Sequence, residues 1–106
     1  MKKVFWDHLI EIEEISIAID KQAIGKKEKE KLLRVVYQTF DMHILTTVLS
    51  HLPKEKHPKF LDYFSKKPDH PQILSLLTKE VQDIEEKIKI AAQKIKKEIL
   101  VELHKH

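Results

Sequence analysis

Apolar residues recur at intervals of three and four along nearly the whole chain, the period of helices packed by one face. The pattern is firmest from Lys27 to His51, where Leu33, Val36, Phe40, Ile44 and Val48 form a stripe flanked by Leu32, Tyr37, Leu45 and Leu49. A stripe that wide is buried on more than one side, which places this segment at the centre of the expected core. Pro53 lacks the N–H to continue the ladder and disfavours helix at Leu52, so the helix stops there.

The segment before it is more ambiguous. Phe5, Leu9, Ile12, Ile15 or Ser16, and Ile19 fit a helical stripe, but Ile10–Ile12 and Ile15–Ile19 also alternate with period two and are rich in β-branched residues. A lone strand would have no partner elsewhere in the chain. The expectation is therefore a helix beginning near Lys3, with Glu14 to Ser16 as the place for a break and Gly25 as a left-handed C-cap.

After Pro53, Pro58 can open a short helix carrying Phe60, Leu61, Tyr63 and Phe64 and ending at Lys66-Lys67-Pro68. Asp69 or His70 then caps the next helix, with Pro71 in its first turn. From there Ile73, Leu77, Val81, Ile84, Ile88, Ala91, Ile95, Ile99 and Leu103 follow at three or four. The stripe fits one helix of roughly 50 Å at about 1.5 Å per residue, or two helices with Asp83 capping the second after a break near Gln82. The fold expected is all-α: a single domain over 1–106, a small bundle of four to five helices with a long amphipathic C-terminal helix.

Composition narrows the alternatives. One glycine, Gly25, among 106 residues leaves almost no position for the φ > 0 turns of hairpin-rich folds, and four prolines crowd between Pro53 and Pro71. Without cysteine there can be no disulfide, thiolate metal site or cysteine nucleophile. The opening Met1-Lys2-Lys3-Val4-Phe5-Trp6 is interrupted by Asp7 and His8 before any apolar run of signal-peptide length. Met42 to Ser50, an uncharged stretch, is far short of the ~20 residues of a membrane span. The expected location is cytoplasmic.

The sequence from Leu49-Ser50-His51-Leu52-Pro53, through His57 and Phe60-Leu61, to Pro68-Asp69-His70-Pro71-Gln72-Ile73-Leu74 and Asp83-Ile84-Glu85-Glu86-Lys87-Ile88 resembles an uncharacterised family of short helical proteins encoded by small-genome bacteria. Members often carry proline immediately before the aspartate, where this chain has Gln82. The resemblance implies the helical fold and no activity.

No arrangement in the sequence points to catalysis, a cofactor or a metal. The seven histidines include no pair at the i, i+4 spacing that zinc takes on a helix, and His43 and His51 are two turns apart. Glu13-Glu14 and Glu85-Glu86 are adjacent on their helices and point about 100° apart, as do Ser50 and His51. No phosphate-cradling loop can be built with one glycine.

Charge and apolar surface carry what functional signal there is. Twenty Lys and Arg against seventeen Asp and Glu give a net charge of +3, with Arg34 the only arginine. Lys26, Lys27, Lys31 and Arg34 surround the start of a helix, where cations oppose the dipole, which hints that the charge has a use. Lys54, Lys56, Lys59, Lys66 and Lys67 lie around Tyr63 and Phe64, as on a nucleic-acid surface. The C-terminal stripe poses a further alternative. Either Ile88, Ile95, Ile99 and Leu103 form an apolar seam, residues 90–106 projecting to meet a second copy or another helical protein, or the first segment folds back over it. The leading expectation is a non-enzymatic, self-associating helical interaction module; the alternative is a small basic protein bound to nucleic acid or the ribosome.

Overall fold

Residues 4–104 are described by a computed structural model, and among them there are five α-helices and no strands. They are α1 (Glu13–Asp20), α2 (Lys26–His51), α3 (His57–Lys66), α4 (Pro71–Glu80) and α5 (Ile84–His104), with 3-10 turns at Asp7–Leu9 and Lys54–Lys56. No helix among the described residues is long and apolar enough to cross a membrane.

The helix ends follow local chemistry. Leu52 is extended, as the residue before proline must be, and its N–H closes α2 on the Val48 carbonyl. His70 caps α4 through its side chain: Nδ1 accepts the Gln72 N–H at 3.0 Å, with Pro71 at the first helical position. The long C-terminal stripe is two helices. Val81 is extended and Asp83 takes φ 56°, the left-handed conformation that aspartate tolerates better than most residues. Its carbonyl accepts the Lys87 N–H at 3.0 Å and starts α5. Left-handed Asp83 thus makes the break, directly after Gln82.

The first segment departs from the sequence reading. Its expected start near Lys3 and the tail residues Lys105 and His106 lie outside the described residues. From Val4 the chain forms a 3-10 turn, an extended stretch at Ile10, and only then α1, which begins at Glu13 and runs unbroken through Glu14 to Ser16, where the break was expected. Gly25 is not a left-handed C-cap; at φ −71° and ψ 165° it precedes α2 as its N-cap. Lys21 closes α1 instead, its N–H reaching the Ile17 carbonyl at 3.2 Å.

Three pairings in register align this segment with α5. His8 to Glu11 lie beside Lys89 to Lys96, Glu14 meets Lys96, and Gln22 Nε2 donates to the Leu103 carbonyl at 3.0 Å. The segment and α1 therefore run in the direction of α5, and α2 returns antiparallel to both. Phe40, Ile44 and Val48 of α2 are fully buried together with Ile15 of α1, Phe60 of α3, Ile73 and Leu77 of α4, and Ile84 and Ile88 of α5. Trp6 is fully buried as well, tilted against Phe40 at 5.7 Å and stacked on Tyr37 at 6.1 Å. Phe5 meets the edges of Phe60 and Phe64, and its N–H is bonded to the Pro68 carbonyl at 2.8 Å. Two adjacent aromatics thus tie the first segment to α2 and to α3, which explains why it is not a continuous helix: successive side chains must point to different partners.

Candidate interaction surface

The C-terminal seam is closed within the chain. Ile88, Ile95 and Leu103 are buried and Ile99 is half-buried against the same core, with Ala92, not Ala91, completing the stripe. Of the two alternatives for this stripe, the packing is the one in which the first segment folds back over it: α1 and α2 both pack on α5, and the Gln22–Leu103 hydrogen bond anchors its far end. The first segment takes the place that a partner helix would have filled.

The basic residues divide into two exposed groups. Lys26, Lys27, Lys31 and Arg34 stand at the start of α2; Lys54, Lys59, Lys66 and Lys67 are exposed beyond its end, with Lys56 half-buried. From Arg34 to the end of α2 at His51 is about 26 Å at ~1.5 Å per residue, in a molecule whose longest dimension is 47 Å. Three of these lysines face carboxylates: Lys31 with Glu28 at 4.0 Å, Lys56 with Glu80 at 3.8 Å, and Lys66 with Asp62 at 3.1 Å. The two groups do not merge into one cationic track.

Nor do the histidines converge. His57 Nε2 is 2.9 Å from the Leu52 carbonyl, bracing the turn between α2 and α3, and the His70 ring lies 4.8 Å from that of Tyr63. Among the described residues no three His, Asp or Glu side chains are placed to hold a metal ion. An open groove of about 410 Å³ runs between His8–Glu11 and Lys89, Ala92, Gln93 and Lys96. Its lysines are opposed by Glu11 and by Glu14, which sits 3.4 Å from Lys96 Nζ, so the groove has no unbalanced charge to recruit an ion.

The outward side of α2 differs from the other exposed helix faces. Val35 is 55% exposed and Met42 59%, seven residues apart and so on one face of the helix. They extend a series of Leu32, Val35, Thr39, Met42, Thr46 and Leu49, spaced 3, 4, 3, 4 and 3 residues, which is the a/d spacing of a coiled-coil seam. Between Lys31 and His51 no charged residue falls on this line. Leu32 and Leu49 are half-buried at its two ends. The threonines are internally satisfied: Thr39 Oγ1 donates to the Val35 carbonyl and Thr46 Oγ1 to the Met42 carbonyl, each at 2.8 Å. Covering them costs no unpaired hydroxyl, and their methyl groups add to the apolar line.

The sequence reading passed over Val35 and Met42 because the core stripe of Phe40, Ile44 and Val48 on the opposite side dominates the same helix. The heptad spacing was the available signal. Comparison with protein-family profiles, curated proteins and solved structures finds no match to this chain.

Proposed function

We propose that this protein is a non-enzymatic helical protein–protein interaction module that docks through the outward face of α2. The observation that carries the reading is the uncharged heptad line from Leu32 to Leu49, with Val35 and Met42 exposed at its centre. A helix face of this kind is closed by another helix, knob into hole. The rest of the surface offers less. Ile90 is 63% exposed on α5, but lysines flank it one residue before and four after, at Lys89 and Lys94.

A photo-crosslinking amino acid at position 42, compared with the same group at position 90, tests the proposal in cells expressing the full chain. Protein adducts from position 42 and none from position 90 support it. Equal labelling at both, or none at 42, overturns it.

A further inference from the structure

The turn between α3 and α4 contains a bond that its histidine makes only when neutral. The His70 N–H goes to the Lys67 carbonyl at 2.9 Å, Pro71 has none, and the Ile73 N–H goes to the His70 carbonyl at 3.0 Å. The Gln72 N–H is the donor of this first turn that depends on a side chain. His70 Nδ1 accepts it at 3.0 Å. The accepting nitrogen carries no proton, which assigns the ring to the neutral tautomer with its hydrogen on Nε2.

We propose that His70 is an acid-sensitive latch on this turn: protonation of its ring breaks the α4 cap and loosens the chain from Pro68 to Gln72. An imidazolium donates from both nitrogens, so no rotation of the ring returns an acceptor to the Gln72 N–H. The new positive charge also sits at the N-terminus of α4, against the helix dipole. Both effects act in one direction. Histidine is the side chain that ordinarily changes charge between about pH 5 and 8, so the latch works near neutrality.

The surrounding groups are of other kinds. From α3, Tyr63 lies against the ring with centroids 4.8 Å apart, Lys66 is paired with Asp62 at 3.1 Å, and Lys67 follows. Asp69 precedes the ring in the turn. The first segment reaches the turn through the Phe5 N–H on the Pro68 carbonyl at 2.8 Å, and its Asp7 accepts the Val4 N–H at 2.7 Å. Phenols, ammonium groups and carboxylates ordinarily titrate outside the range in which imidazole does.

His57 supplies the contrast within the same chain. Its Nε2 faces the Leu52 carbonyl, an acceptor, so the ring donates there and the cation keeps the bond. Acid therefore acts on the turn between α3 and α4 and spares the one between α2 and α3.

Urea denaturation of the full chain at about pH 7.5 and about pH 5 tests the proposal beside two variants: His70→Asn, whose amide oxygen caps without titrating, and His70→Ala, which has no cap at either pH. The folding constant of the unmodified chain relative to His70→Asn is expected to fall roughly fivefold on acidification, the equivalent of a typical N-cap. Relative to His70→Ala it should be higher at the upper pH and equal at the lower. A ratio to His70→Asn that does not change with pH overturns the latch. Amide NMR gives a local readout: the Gln72 amide proton is expected to move to higher field as the His70 ring titrates. The same movement in His70→Asn, or none in the unmodified chain, overturns the proposal as well.

Discussion

The indole Nε1 of Trp6 donates to Asp41 Oδ1 at 2.9 Å, joining residues 35 apart in sequence across the fully buried ring. This bond lets a tryptophan be covered completely, since an unpaired indole N–H in the core costs about 1–3 kcal/mol. Asp41→Ala is expected to lose at least that much stability, whereas Asp41→Asn, which keeps an acceptor at the same place, loses much less. Trp6→Ala, which also removes the stacking on Tyr37 and Phe40, should cost about 3–5 kcal/mol. Urea denaturation of the three variants checks the order; equal losses for Asp41→Ala and Asp41→Asn would show that the bond contributes nothing specific.

Burial raises the pKa of the Tyr37 hydroxyl above its ordinary 10.0, and the negative charge of Asp7 adds to the effect. A raised folded-state pKa means that the neutral phenol is favoured in the fold. The resulting stability is fully present below about pH 10 and is lost as pH climbs from there through the folded value, because the unfolded chain releases its proton first. Replacing Tyr37 by phenylalanine should therefore flatten the alkaline fall in melting temperature. Identical alkaline profiles for the two proteins would contradict this.

The parts of the fold legible in the sequence are those where one face meets one core. The α2 stripe, the stop at Leu52-Pro53, the helix opened at Pro58 and the His70-Pro71 start of α4 all follow from local chemistry that acts within a few residues. The first segment was not legible because Phe5 and Trp6 serve different partners, Phe60 and Phe64 on one side and Tyr37 and Phe40 on the other, and no periodicity encodes such a split. The candidate surface was only partly legible for a related reason. For Ile95 and Leu103 the pattern leaves a partner helix and the first segment as equal alternatives, because their cover, α1, lies more than seventy residues earlier in the chain, while on α2 the core stripe masks Val35 and Met42.

Binding to generic nucleic acid, if measured, should reflect one lysine group at a time. The larger group, Lys54, Lys56, Lys59, Lys66 and Lys67, supplies at most five phosphate contacts, which for a DNA duplex gives a slope of log K against log salt no steeper than about −4.5. Titration of a short duplex by fluorescence anisotropy over a range of salt concentrations gives this slope. A clearly steeper value would require both groups to engage one duplex along the length of α2, and would move the functional reading to a nucleic-acid partner.

The most direct contrast between the two apolar lines of the molecule is a pair of lysine substitutions. Ile95 is 5% exposed and packed beneath α1 and α2, so Ile95→Lys forces a charge into the core or opens the contact between α1 and α5; the loss should exceed about 3 kcal/mol. Met42 faces outward, and Met42→Lys should leave the stability of the single chain within about 0.5 kcal/mol while removing whatever association the α2 face supports. Chemical denaturation at low protein concentration separates the two effects, because a dimer's contribution fades on dilution. If Ile95→Lys were tolerated and Met42→Lys strongly destabilising at high dilution, the assignment of inner and outer faces would be reversed, and the C-terminal seam would again be the surface to pursue.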